Sequence, residues 1–222
     1  MKRLERYKYH QVQRSDGRER TYDVKGMRLP SVTTILSRTK DQGFIRRWKA
    51  KVGEAQAEAI KNLSSQRGTS MHKYIEAFIL QKGYEDMTSL GQQAKNMANK
   101  LIENSLLPID EYYGSEVTLY YPGLYAGSTD LVCVHNDMDT IVDFKQANSP
   151  KRKEWVDDYY YQIAAYALAH QEQHGPIDQG LICICTKDGT YQEFKMDMQK
   201  LDEYENKWFE RVERFEKLKK KG

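Results

Sequence analysis

Two neighbouring apolar segments, each joined to an aspartate, most constrain the fold of this chain. Residues 131–134 run on from Asp130, and residues 140–142 run into Asp143. Both segments are short and rich in β-branched residues, and the polar residues 135–139 between them are typical of a hairpin turn. The sequence therefore predicts two antiparallel strands that bring both aspartates to one place.

The second strand also carries a lysine. Because successive side chains of a strand point to opposite faces, Asp143 and Lys145 share a face while Phe144 points into the core. Two carboxylates beside an ammonium group suit Mg²⁺ or Mn²⁺ together with a phosphate, which indicates phosphodiester hydrolysis. An Asp-x-Lys pair by itself is usually a solvated face, so this interpretation depends on what else lies nearby.

Two helical segments supply further polar pairs. Gln162 and Tyr166 lie four residues apart, hence on one face of a predicted helix. His72 and Glu76 have the same spacing, and Gly68, one turn earlier, lets another chain come close. The ordinary alternatives are a core tyrosine, a surface glutamine and a structural histidine. The functional alternative is that the amide, the phenol and a neutral imidazole bind a phosphate or a metal ion.

Taken in chain order, these motifs resemble the RecB-like branch of the PD-(D/E)XK nuclease superfamily. They are Gly-x-x-x-His-x-x-x-Glu at 68–76, Gly-x-x-Asp at 127–130, Asp-x-Lys at 143–145 and Gln-x-x-x-Tyr at 162–166. The segment Leu-Pro-Ser-Val-Thr-Thr-Ile-Leu at 29–36, followed by Trp48, is similar to the mitochondrial genome maintenance exonuclease group and its phage-encoded relatives. The resemblance covers roughly residues 29–170, and Gln146 departs from it where these enzymes often carry threonine.

The resemblance implies a restriction-endonuclease-like α/β core, a mixed central β-sheet flanked by helices, with a helical N-terminal region. It implies five catalytic residues: Asp130, Asp143, Lys145, Gln162 and Tyr166. It implies Mg²⁺ or Mn²⁺ as cofactor, with ligands from Asp130, Asp143, the Phe144 carbonyl, His72 and Glu116. Lys145 would orient or deprotonate the attacking water, with a pKa lowered by partial burial. The implied activity is hydrolysis of DNA, expected to be single-stranded, from a free end.

Positive charge is concentrated near the start of the chain. Residues 1–51 contain fifteen Lys and Arg against five Asp and Glu, a net charge of +10, so the remainder carries −7 of the total of +3. A basic arm on an acidic body suits a protein that binds phosphates and metal ions, although a solvated basic surface is the plain alternative. The candidate DNA contacts are Arg46, Arg47, Trp48, Lys49, Arg67 and Ser31.

The chain is expected to form one domain with a short extension. Residues 1–28 are predicted to be a basic hairpin whose strands are 7–12 and 20–24. Residues 29–222 are predicted to be a single nuclease domain, with a helical region at 29–108, a sheet core at 115–197 and a C-terminal helix at 198–218. The helical stretch 41–81 is predicted to break near Ser64 and Ser65, and region 30–81 to form a passage that admits a single DNA strand.

The cysteines and the hydropathy pattern limit the partners. Cys133, Cys183 and Cys185 do not make up the four-cysteine set of RecB-like nucleases that carry an iron–sulfur cluster, so we expect no cluster and three reduced, buried thiols. No apolar run reaches the length of a membrane span, and the N-terminus lacks a signal-peptide pattern. We therefore expect no membrane partner, a monomer, and a location in a bacterial or phage-infected cytoplasm.

Two other functions fit the same motifs. One is a structure-specific endonuclease on the same core, which residues 29–104 disfavour because junction resolvases usually lack such a helical region. The other is a catalytically inactive DNA-binding protein, which the retained aspartates and lysine disfavour. The polarity of digestion and the choice between DNA and RNA stay open.

Overall fold

The computed structural model describes residues 1–220, with the backbone alone of Phe44, as an α/β fold. The helices in this part of the chain are Val32–Thr39 (α1), Gly43–Val52 (α2), Glu54–Ile79 (α3), Ser89–Leu101 (α4), Asp157–Gln173 (α5) and Met198–Lys219 (α6). The strands are Lys2–Arg3 (β1), Gln13–Asp16 (β2), Arg20–Val24 (β3), Met27–Pro30 (β4), Glu111–Tyr121 (β5), Tyr125–His135 (β6), Met138–Ala147 (β7), Gln179–Thr186 (β8) and Tyr191–Met196 (β9).

Six of these strands form a mixed central sheet in the order β1-β5-β6-β7-β8-β9. Strands β5, β6 and β7 are antiparallel neighbours, whereas β7 and β8 run parallel. Parallel neighbours cannot be joined by a tight turn, and α5 supplies the crossover between them. The turn between β6 and β7 has positive φ at Asn136 (52°) and Asp137 (60°), as a two-residue hairpin requires.

Helices cover both faces of the sheet. One core layer joins α1, α5 and α6 to the sheet, and the other joins α3 and α4 to its opposite face. Strand β7 shows the alternation that this demands, because Ile141 belongs to the first layer and Val142 and Phe144 belong to the second. A mixed sheet flanked in this way is a restriction-endonuclease-like core, which confirms the predicted fold class.

A second sheet, with the order β2-β3-β4, packs beside β6. The bridge from Ser31 to Ala126 joins the two sheets. The predicted hairpin partner at 7–12 is wrong, because β3 pairs with residues 13–16. Within residues 7–12, Tyr9 instead contacts α5, and its hydroxyl lies 3.0 Å from Nε2 of His170. The division of the chain at residue 28 stays a prediction.

The helical stretch breaks at Gly53, not at Ser64 and Ser65 as predicted. Gly53 has φ +87°, a conformation that side-chain-bearing residues rarely adopt, so it separates α2 from α3. Serine is tolerated inside a helix, and α3 continues through both serines to Ile79. A single long helix therefore carries the segment that contains His72.

Two further observations concern the cysteines and the hydropathy of the helices. Cys133, Cys183 and Cys185 are buried free thiols, as predicted. Within residues 1–220, no helix combines the length and the hydropathy needed to cross a membrane.

His170 should make the fold sensitive to acid. It is fully buried, Tyr9 contacts its Nε2, and its Nδ1 lies 2.7 Å from the Gly175 carbonyl oxygen. Burial lowers the pKa of His170 to about 4, so as pH falls from 6.5 towards 4 the unfolded chain takes up a proton that the folded one refuses. The free energy of unfolding should therefore fall between pH 7 and pH 5. In His170→Gln this fall should be smaller by about 2 kcal/mol, measured by urea unfolding at both pH values. Equal losses in both proteins would contradict this account.

Candidate active site

A cleft of about 590 Å³ opens where α3 and the small sheet meet β6 and β7. Every predicted catalytic residue and every predicted metal ligand lines it. These are Asp130, Asp143, Lys145, Gln162, Tyr166, Phe144, His72 and Glu116. The structure therefore brings together residues that lie up to 94 positions apart in the chain.

Three of these side chains form a compact group of metal-binding type. One ligand atom each from His72, Glu116 and Asp130 lies within 4.8 Å of the others. Asp130 is fixed in this position: its Oδ1 lies 3.4 Å from Nδ1 of His72, and its Oδ2 accepts the Phe144 N–H at 2.6 Å. The Phe144 side chain points into the core, as predicted.

Asp143 and Lys145 lie beside this group and contact each other. The Asp143 side chain is 1% exposed, and its Oδ2 lies 2.5 Å from the Lys145 ammonium nitrogen. The ammonium is the partner of this oxygen, and the contact joins two buried charges of opposite sign. The ring of Tyr159 lies 5.3 Å from the same ammonium. Asp143 thus places a buried carboxylate beside the metal-binding group, with the Lys145 ammonium as its counter-charge.

The charges in the cleft shift the pKa values of His72 and Asp130 in opposite directions. Burial by itself would lower the pKa of His72, but the Asp130 carboxylate outweighs it and raises that pKa to about 9. Burial by itself would raise the pKa of Asp130, but the attraction of His72 and Lys145 lowers it. The two side chains therefore form an ion pair near neutral pH when no metal ion is bound.

The prediction of a lowered pKa for Lys145 is wrong. Burial does favour the neutral amine, but the carboxylates of Asp143 and Asp130 outweigh it and raise the pKa of Lys145. Burial raises the pKa of Asp143 to about 6. Desolvation by the cleft walls and repulsion from Asp130 raise the pKa of Glu116 to about 7, although its side chain remains open to solvent at one side.

The backbone of Glu116 is strained. It has φ 51° in the middle of β5, opposite Asp130, between the pairs Ser115–Leu131 and Val117–Thr129. A left-handed conformation at a residue other than glycine costs free energy, and such residues are found preferentially at functional sites. The strained position coincides here with a residue of the metal-binding group.

Gln162 and Tyr166 share one face of α5, as their spacing predicted. The Gln162 amide nitrogen donates to the Tyr166 hydroxyl at 3.2 Å, and both side chains are buried against the cleft. Burial raises the pKa of Tyr166 well above its usual value, so the phenol keeps its proton. Together they present a neutral polar surface beside the two aspartates.

Gly127 allows Tyr166 to lie against β6. A Cβ at position 127 would come within 2.7 Å of the Tyr166 ring, a distance that forces the ring to move. We expect Gly127→Ala to lower the free energy of unfolding by about 1–3 kcal/mol and to displace the phenol from the cleft. Gly83→Ala is the control, since a Cβ there meets nothing within 4 Å. Equal melting temperatures for the two variants would contradict the expected clash.

The predicted DNA contacts, unlike the predicted catalytic residues, do not all line the cleft. Ser31 lines the cleft, but its hydroxyl is the N-cap of α1 and accepts the Thr34 N–H at 2.9 Å. Arg67 is buried behind the cleft and binds Gln146. The cluster Arg46, Arg47, Trp48 and Lys49 lies on α2, and none of the described side chains of that helix lines the cleft. A DNA contact by these residues stays a prediction.

Sequence reasoning missed three cations that do line the cleft. Arg14 and Arg20 come from the small sheet and both pair with Asp16, while Lys73 comes from α3. The charge excess of residues 1–51 was the available signal for the two arginines. It could not single them out, because their position depends on how the small sheet packs beside β6.

We compared the chain with known proteins. No family model and no curated protein matches it. A solved structure from Eubacterium rectale named "Putative exonuclease" is similar in fold, with a TM-score of 0.51, 14% identity, and coverage of 69% of this chain and 67% of the other. A structure named SSO0001 gives a TM-score of 0.40 at 13% identity, covering 76% and 67% of the two chains, which is too low to support an argument. The chain therefore has a nuclease-like fold, and its activity must be inferred from its own cleft.

Proposed function

We propose that this protein is an Mg²⁺- or Mn²⁺-dependent deoxyribonuclease of the RecB-like PD-(D/E)XK type, related to the mitochondrial genome maintenance exonucleases. The observation that carries the proposal is the convergence of two aspartates, a glutamate, a histidine and a lysine in one cleft. Four separate segments of the chain supply these residues. The fold shared with a structure named "Putative exonuclease" agrees with this proposal.

The residues of the cleft fit a small divalent cation. Asp130, Glu116 and His72 would bind it, and the buried Asp143 carboxylate beside them would be a further hard ligand. Mg²⁺ prefers oxygen ligands and keeps several waters, so a sparse protein set is sufficient. A bound cation would polarise the phosphate and stabilise the negative charge that develops during cleavage.

The protein groups around this position have separate tasks. Lys145 is an ammonium beside Asp143, and it would orient the attacking water and neutralise charge on the reacting phosphate. Its raised pKa keeps it protonated near neutral pH, so it would act as an ammonium and not as the proton acceptor. Gln162 and Tyr166 would align the phosphate with neutral hydrogen-bond donors.

The substrate we propose is single-stranded DNA with a free end. Arg14, Arg20 and Lys73 line the same cleft as the carboxylates, so a phosphate backbone can contact cations on its way to the metal-binding group. A flexible single strand would follow the cleft between α3 and the small sheet, whereas a stiff duplex would have to fray first. We place the activity in DNA replication, repair or recombination, as a monomer in a bacterial or phage-infected cytoplasm, without an iron–sulfur cluster.

Digestion of end-labelled DNA tests this function. Linear single strands should be degraded fastest, blunt duplexes slowly, and closed single-stranded circles of the same sequence hardly at all. Mg²⁺ or Mn²⁺ should support cleavage, whereas Ca²⁺ should support binding alone. Circles cut as readily as linear strands would indicate an endonuclease with an open cleft. Binding without cleavage under every metal condition would indicate an inactive DNA-binding protein.

A further inference from the structure

Arg67 is a buried arginine that binds only neutral oxygens. It is 6% exposed, its Nε and Nη2 donate to Oε1 of Gln146 at 3.1 and 2.7 Å, and Nη2 also donates to Oδ1 of Asn148 at 2.5 Å. No carboxylate of the described residues pairs with it, and burial lowers its pKa. A buried charge without a counter-charge destabilises a fold, so its presence beside the cleft indicates a function.

The arginine determines which way Gln146 points. A guanidinium has only donors, so the oxygen of the Gln146 amide must face Arg67. The amide nitrogen then points the other way, and it donates to no acceptor among the described residues. Gln146 lines the cleft next to Lys145, and a Cβ at Gly68 would come within 3.4 Å of its Cγ. The side chain is thus confined between α3 and the cleft.

The position of this amide suits an anionic strand. Gln146 and Lys145 point to opposite faces of β7, yet both line the same cleft, so the amide of Gln146 lies along the path of a strand that passes the reacting groups. The positive charge of Arg67 behind the amide polarises its N–H groups. A phosphate oxygen is the acceptor that both features favour, because it is negatively charged and present in every nucleotide.

We propose that Gln146 donates a hydrogen bond through its amide nitrogen to the sugar-phosphate backbone of the bound strand. Arg67 is the positioning residue that fixes the amide in the donating orientation, and it does not itself contact the strand. This inference rests on the proposed function, because it assumes that DNA is the occupant of the cleft. It assigns a specific role to the position where related enzymes often carry threonine.

Three variants separate this role from simple packing. Gln146→Ala removes the donor, whereas Gln146→Glu keeps the shape and the contact with Arg67 but presents a carboxylate oxygen to the strand. Affinity for a fluorescent single strand in Ca²⁺ should fall about 10-fold for Gln146→Ala and further for Gln146→Glu. Gln199→Glu, an exposed residue on α6, makes the same charge change outside the cleft and should bind normally. In Mg²⁺, KM should rise by the same factors while kcat changes less than about twofold.

A packing role predicts the opposite order. Gln146→Glu would then bind DNA as the natural protein does, since it fills the same space and forms an ion pair with Arg67. Such a result would overturn the inference. Melting temperatures of all variants identify any loss of affinity that comes from unfolding.

A double-mutant cycle tests the positioning role of Arg67. If Arg67 acts through Gln146, Arg67→Ala with Gln146→Ala should lower affinity no more than the stronger single change. Additive losses would mean that Arg67 contacts the strand directly and would overturn its assignment. A different result would contradict the proposed function alone: the natural protein binds DNA but cleaves no substrate with any metal ion. The affinity comparison decides the role of Gln146 in that case too, and failure of the natural protein to bind DNA would overturn both proposals.

Discussion

Asp130→Asn and Asp143→Asn are each expected to abolish DNA cleavage while the fold stays intact. Asp130 belongs to the group that would bind the cation, and Asp143 offers the buried oxygen beside it. Loss of either charge should reduce kcat/KM at least about 10³-fold, equivalent to about 4 kcal/mol of transition-state stabilisation. The measurement is initial-rate digestion of a labelled single strand in Mg²⁺ and Mn²⁺.

The two variants should differ in stability. Burial raises the pKa of Asp143 to about 6, so the folded state binds its proton more tightly than the unfolded state does. The ionised form therefore costs stability as pH rises from about 4 through 6. Asp143→Asn relieves that cost but leaves the buried Lys145 ammonium without its carboxylate partner, so the expected difference is in the pH dependence: the variant should lose less stability than the natural protein between pH 4 and pH 6, measured by urea unfolding. Asp202→Asn, an exposed position on α6, is the matched control for both measurements. Substantial cleavage by either site variant would remove that aspartate from the proposed mechanism.

Lys145→Ala is expected to reduce turnover by about 10²–10³-fold while single-stranded DNA still binds in Ca²⁺. The ammonium lies 2.5 Å from Asp143 and within the cleft, where it can act on the water and the developing charge. Binding of the strand depends instead on the other cations of the cleft, Arg14, Arg20 and Lys73. The measurements are single-turnover rates in Mg²⁺ and equilibrium binding in Ca²⁺.

The comparison needs a lysine outside the cleft. Lys195→Ala, on an exposed position of β9, removes the same charge and should leave both quantities unchanged. Losses of equal size in rate and affinity for Lys145→Ala would show that the lysine binds the phosphate in the ground state and has no special role in the reaction.

The role expected for Lys145 from the sequence differs from the role that its surroundings allow. From the sequence, Lys145 was a candidate base with a lowered pKa. Its carboxylate neighbours raise that pKa instead, so the ammonium keeps its proton near neutral pH. Asp143 contacts Lys145 directly, and Asp130 acts on it through the cleft. The packing of β6 beside β7 determines how strongly the Asp130 charge acts on the ammonium, whereas Asp143 lies on the same strand as Lys145.

Local sequence patterns determined most of the elements and the identity of the cleft residues. The β-branched runs and the short polar turn predicted β6 and β7, and thereby the proximity of Asp130 and Asp143, because a hairpin pairs neighbouring residues. The four-residue spacings placed Gln162 with Tyr166 on one helical face. These features depend on interactions between residues close in the chain, which a periodic pattern encodes.

The interactions between distant segments were decided by the tertiary structure alone. Arg67 meets Gln146 across 79 positions, and Arg14 reaches the cleft because the small sheet packs beside β6. Residues 7–12, predicted as a strand, do not pair with β3. Tyr9 of this segment instead contacts His170, which lies 161 positions further along the chain. No periodic pattern encodes such contacts, since they depend on the packing of whole elements. The sequence by itself therefore determined which groups could carry out the chemistry, and the packing of the elements decided which partners set their charge and orientation.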